Sequence, residues 1–103
     1  MAQRQDEFER TDVPIDATGD ILVVEIPGDT VVGVDIDATA QAGFELDRSA
    51  TGDEADRLGA GATYPNTIAV SDTFRLSDRY LHVRVGTAAA AGETADITVQ
   101  VGR

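Results

Sequence analysis

Arg79-Tyr80-Leu81-His82-Val83-Arg84-Val85 alternates without a break: Leu81, Val83 and Val85 fall on one side, Tyr80, His82 and Arg84 on the other. Thr94–Val101 keeps the same rhythm, with Ile97, Val99 and Val101 set against Asp96, Thr98 and Gln100. A period of two marks a strand with one face on a core and the other polar. Gly86–Glu93, between the two runs, is a loop of small residues in which Ala88–Ala91 is flanked by glycines. Two alternating strands around a glycine-bounded connection predict an antiparallel hairpin.

Working upstream, the β pattern continues. Asp20–Ile26 is a β-branched run that ends at the turn cluster Pro27-Gly28-Asp29. Thr30–Asp37 follows, with Val32, Val34 and Ile36 on one face and Val31, Gly33 and Asp35 on the other. The short turn between these runs predicts a second hairpin. Both carry apolar residues on both faces for part of their length, as expected of central strands or of strands half covered by another subunit. A third strand is expected at Gly43–Asp47 with Phe44 and Leu46 inward, and further short strands at Asn66–Val70 and Thr73–Leu76. Arg48–Ala62 has no sustained period and reads as a long surface loop. Residues 1–12 are mostly polar and charged, with Phe8 as the one large apolar side chain. They read as a flexible N-terminal arm: either a frayed terminus or short helical turn, or an arm that orders on a neighbouring subunit with Phe8 as anchor, and Thr11–Asp16 is a candidate to extend a neighbour's sheet. The expected architecture is all-β: an antiparallel, jelly-roll-like β-sandwich over residues 13–103 behind an arm at 1–12.

Charge is the most informative feature of the composition. The 103 residues hold 19 acidic and 8 basic side chains, a net charge of -11, and every basic residue is Arg. At ordinary ionic strength such a charge opposes compaction; at about 1 M salt the Debye length shrinks to about 3 Å and the repulsion is screened. The charges are spread along the chain rather than massed in one block, which points to adaptation to high salt. One domain is the limit at this length, and oligomerisation is a common source of extra stability. Cysteine is absent, so neither disulfides nor thiolate metal sites contribute. No apolar run approaches a membrane span, and the N-terminus has no apolar segment typical of a signal peptide. An acidic chain with no basic stripe is a poor partner for nucleic acid.

The search for chemistry ends without an active site. His82 is the single histidine, which excludes a multi-histidine metal site, and it reads as half-exposed on a sheet surface or oligomer contact. Asp35 and Asp37 pair carboxylates, but with no Trp, two Tyr and three Phe there is little to line a sugar cleft. Asp53, Glu54 and Asp56 are weak candidates for a Ca²⁺ or Na⁺ site and lack the EF-hand spacing. Gly59-Ala60-Gly61 has no following Lys, so the phosphate-loop reading fails. Arg75, Arg79 and Arg84 are expected to pair with acids across strands. No cofactor and no enzymatic activity are expected.

Asp78–Val101 resembles the carboxy-terminal hairpin of small virion proteins of tailed phages and haloarchaeal tailed viruses. Phe44-Glu-Leu-Asp-Arg-Ser, Asp72-Thr-Phe and Arg79-Tyr-Leu also resemble the strand order of jelly-roll modules such as discoidin-like domains. The Asp-Gly and Trp that such modules place after the position of Ser49 are missing, which removes the usual reason to expect a sugar or lipid site. The resemblance implies a virion structural protein, a capsid decoration or minor capsid component, assembled in the host cytoplasm and acting through symmetric contacts. Its partners would be further copies of itself and other virion proteins such as the major capsid protein, with no nucleic acid and no membrane. Phe8, Val23, Val31, Tyr80, His82 and Arg84 are the candidate interface residues. The alternatives are a ligand- or carbohydrate-binding β-sandwich module of a halophile, or a tail or head–tail connector component.

Overall fold

The computed structural model describes residues 6–102. Six strands occur in it: β1 (Asp6–Pro14), β2 (Gly19–Glu25), β3 (Thr30–Ser49), β4 (Ala60–Leu76), β5 (Tyr80–Thr87) and β6 (Thr94–Val101). A single 3₁₀ turn at Glu54–Asp56 lies between β3 and β4. All the strand pairings are antiparallel, in the order β1-β6-β3-β5-β2, with β4 on the other side of β3. The fold is all-β and antiparallel.

β3 organises the molecule. At 20 residues it is far longer than the usual strand of about 5–6. Its length is usable because it bends and changes partner midway. Val32–Ala38 pairs with β6, whereas Gly43–Ser49 pairs with β5, and the register against β4 slips between Asp37 and Ala42. Small residues make the corner (Ala38, Ala40, Ala42 and Gly43), and a Cβ on Gly43 would stand 3.0 Å from Cβ of Thr87. β4 turns the same corner with Pro65 and with Asn66 in the left-handed region (φ 57). Strands that pass from one half of a sheet to another through such irregularities fold the sheet over its own core.

The two halves share that core. Val32, Val34 and Ile36 with Ile97, Val99 and Val101 come from one half, and Phe44, Leu46, Leu81, Val83 and Val85 from the other; all are buried in one cluster. β1 and β2, at the two ends of the pairing order, meet where Arg10 Nη1 donates to the Ile21 carbonyl at 2.5 Å. Ile15 is fully buried beside them and is held by the 88–93 loop, its N–H donating to Glu93 O and its carbonyl accepting from Ala89 N.

Every strand core expected from alternation is present, and the inward residues named for β3, β5 and β6 are buried. The pairings differ. Asp20–Ile26 does not form a hairpin with Thr30–Asp37: β2 pairs with β5, and the intervening turn crosses from one half of the sheet to the other. Nor do 79–85 and 94–101 pair. β5 and β6 follow one another along the same edge of β3, separated by the loop at the corner. Alternation reports which way a side chain faces and carries nothing about which strand lies alongside.

Two other boundaries move. Residues 6–12 of the expected arm belong to β1, which pairs with the chain's own β6 from Asp6↔Val101 to Pro14↔Thr94. Of the Thr11–Asp16 candidate, Val13 and Pro14 are paired with β6 and Ile15 is bonded to the 88–93 loop, so the segment is already engaged within the chain; residues 1–5 lie outside the described residues. The expected loop at Arg48–Ala62 is shorter: β3 runs through Ser49, and β4 begins at Ala60.

Candidate functional site

β5 is buried on both faces, from Leu81 to Val85. Its inward row is core. Its outward row, His82 and Arg84, lies under the 50–58 loop and between the acidic side chains of its two neighbouring strands. Asp20 on β2 and Glu45 on β3 stand directly across from Arg84, and Asp47 on β3 stands across from His82. The expectation of a half-exposed histidine is thereby corrected: His82 is 0% exposed and Arg84 is 8% exposed.

The polar groups form a chain of hydrogen bonds. His82 Nδ1 lies 2.9 Å from Asp20 Oδ2, and His82 Nε2 lies 2.7 Å from Ser49 Oγ. A carboxylate only accepts, so Nδ1 carries the proton and Nε2 receives the Ser49 hydroxyl in the neutral tautomer that satisfies every group. Ser49 Oγ accepts in turn from Gly52 N–H at 2.9 Å, which ties the loop to the sheet. Arg84 Nη1 donates to Asp20 Oδ1 at 2.6 Å and to Glu54 Oε2 at 2.8 Å. Burial disfavours the Arg84 charge, but the hydrogen bonds to Glu54 and Asp20 outweigh it and hold the guanidinium above its ordinary range. Its Nε has no hydrogen-bond partner among the described residues, with Glu45 Oε1 at 3.8 Å. Arg57 Nη1 reaches buried Asp47 at 3.1 Å and pins the far end of the loop.

Ser49, His82 and Asp20 stand in the order and at the spacing of a nucleophile, base and orienting acid. The arrangement is sealed. Ser49 and His82 are both fully buried, and the Tyr80 ring lies against Gly52, so close that a Cβ there would be 3.1 Å from it. The serine oxygen already accepts from the Gly52 backbone N–H. What the cluster does is fasten the 50–58 loop onto the sheet.

A second feature lies at the open side, where β4 bends. A groove of about 280 Å³ there has Leu46, Phe74, Leu76 and Leu81 as apolar lining and Asp72 and Arg75 among its polar residues. Tyr64 and Asp72 come from the two halves of β4, and the Tyr64 hydroxyl donates to Asp72 Oδ2 at 2.5 Å. Burial, then that hydrogen bond, push the phenol up to about 12. The same bond, with Thr73 N–H, lowers the Asp72 carboxyl below its ordinary value.

The remaining residues singled out from the sequence are dispersed. Phe8 is 37% exposed and stands opposite Val99 on the core side of β1, at the margin of the core rather than on a free arm. Val23 is also 37% exposed, and Val31 and Tyr80 are half-buried. Asp35 and Asp37 are exposed on the outer face of β3. Asp53 accepts from Ala55 N–H, Asp56 accepts from the Thr51 hydroxyl, and Glu54 is committed to Arg84. No group of three His, Asp or Glu side chains placed to hold a metal occurs among the described residues. Arg75 pairs with Asp29 and Arg79 with Glu25, each pair having one member in a turn rather than a strand. Asp20 and Ser49 were not legible as partners of His82, because the three come from separate strands and no sequence spacing links them.

No protein-family model matches the chain, and no curated protein matches its sequence. Among solved structures, the crystal structure of the SPBc2 prophage-derived protein YomS is similar in fold, with a TM-score of 0.68. The two are 10% identical, and the similarity covers 99% of this chain and 98% of that one.

Proposed function

We propose that the chain is a non-enzymatic structural component of a tailed-virus particle, a capsid decoration or minor capsid protein of a haloarchaeal virus. The observation that carries this reading is the end-to-end likeness in fold to a prophage-derived protein. The Ser49–His82–Asp20 cluster, buried under the 50–58 loop, is compatible with a structural role. The net charge of -11, with Arg as the sole basic side chain, suits a particle that persists in concentrated salt. Its mechanism is passive: repeated copies bury apolar surface between themselves and other virion proteins such as the major capsid protein, and so brace the shell.

The test is to purify virus particles on a density gradient and probe them with antibody raised against this chain. Co-sedimentation at a fixed number of copies per particle is expected. Absence from particles, together with specific retention on a panel of immobilised glycans, would replace the reading with that of a carbohydrate-binding module.

A further inference from the structure

β4 is paired on one side only, with β3, so its outer edge is open among the described residues. Open edges are hazards that proteins ordinarily blunt with charge, proline or side-chain caps. The two halves of this edge are treated differently. Downstream of the corner, the Thr67 hydroxyl bonds both the N–H and the carbonyl of Ala69, and Asp72 Oδ1 accepts from Thr73 N–H. Upstream, no side-chain hydrogen bond among the described residues caps a backbone group of Gly59–Pro65, and the guards there are Pro65 and the left-handed Asn66 at the corner.

Charge follows the same division. Leu58–Ser71 is a run of fourteen residues without a charged side chain; the next longest such run, Val85–Gly92, has eight. Within this neutral run lie the two most exposed large apolar side chains of the described residues, Leu58 at 57% and Ile68 at 51%.

We infer that the Leu58–Ile68 edge is the contact between two copies of this chain, joined about a twofold axis. A strongly charged partner would gain nothing from this stretch, since a basic surface would be drawn to the acidic remainder. A second copy is matched to it: two chains of net charge -11 repel everywhere except where both are neutral. A twofold meeting of two copies about an axis near Thr63 sets Leu58 of one copy, in the link just before β4, against Ile68 of the other, just past the β4 corner. It also stops short of the capped Ala69 and Thr73. This rests on the homo-oligomeric part of the reading above and names its surface.

The experiment is light scattering behind a sizing column in molar KCl, on the full chain and on Ile68→Asp. The wild type is expected at twice the 10.8 kDa chain mass or an even multiple of it, and Ile68→Asp at half the wild-type value with unchanged circular dichroism. Because the chain has no cysteine, Leu58→Cys and Ile68→Cys provide a second readout. When mixed and oxidised they should cross-link to each other several-fold more than either does to itself. A monomeric wild type, or a mass unaffected by Ile68→Asp, overturns the inference. Neither result touches co-sedimentation with particles, which decides the virion reading separately.

Discussion

Asp20 is the residue on which the buried cluster turns, and removing its carboxylate tests the account of that cluster most directly. In Asp20→Ala, His82 Nδ1–H loses its acceptor at a fully buried position, which costs about 1–3 kcal/mol for an unsatisfied buried group. Arg84 loses its 2.6 Å partner but keeps Glu54, which is half exposed, so the loss falls below the about 3–5 kcal/mol of a fully broken buried pair. Together these put the destabilisation at about 3 kcal/mol, a large part of the about 5–15 kcal/mol that holds a domain together. For a domain of this size the melting midpoint should fall by about 12–24 °C, at about 4–8 °C per kcal/mol. Asp20→Asn keeps an oxygen for His82 and removes only the charge facing Arg84, so it should lose about half as much. The assay is urea unfolding followed by circular dichroism, in the same molar KCl for all three proteins. A loss below about 1 kcal/mol in Asp20→Ala would show that the cluster is not a fastening, and equal losses in Ala and Asn would show that only the Arg84 pair matters.

The Tyr64–Asp72 bond needs a protonated phenol and an ionised carboxylate. Unfolded Tyr titrates near about 10, whereas folded Tyr64 holds its proton to about 12. The folded chain therefore binds the extra proton across that window, and stability should fall as pH rises through it. Tyr64→Phe should flatten the alkaline limb of a melting-midpoint curve. Asp72, depressed in the fold, contributes above its unfolded value, and that contribution is lost as pH falls through the folded one. Gly43→Ala drives a Cβ to 3.0 Å from Thr87 at the corner of β3 and should lower stability by about 1–3 kcal/mol in the same urea assay. Raising KCl from about 0.1 M to about 1 M shortens the Debye length from about 10 Å to about 3 Å. That should raise the melting midpoint by several degrees, more than an equal change does for a domain near neutrality.

What the residues determined by themselves was local. Strict alternation at Leu81–Val85 and Ile97–Val101 made those segments strands and told which side chains face the core, because side-chain direction in a strand is a property of the backbone period alone. The acidic balance, the lack of lysine and cysteine, and the shortage of aromatics were likewise complete in the composition. Pairing was decided only by the tertiary structure. The short links suggested hairpins for 20–26 with 30–37 and for 79–85 with 94–101. Neither forms, because β3 bends at Ala38–Gly43 and takes β6 on its first half and β5 on its second. The run at 38–43 is rich in small residues, but where a corner falls depends on the packing of both halves over one core. The polar face of β5 shows the same limit. Tyr80, His82 and Arg84 read as an outward polar row and candidate interface, but His82 and Arg84 are covered because the loop at 50–58 folds back over them and Asp20 arrives from β2. Burial of a polar side chain depends on what packs above it, and that is a relation between distant segments which no local pattern records.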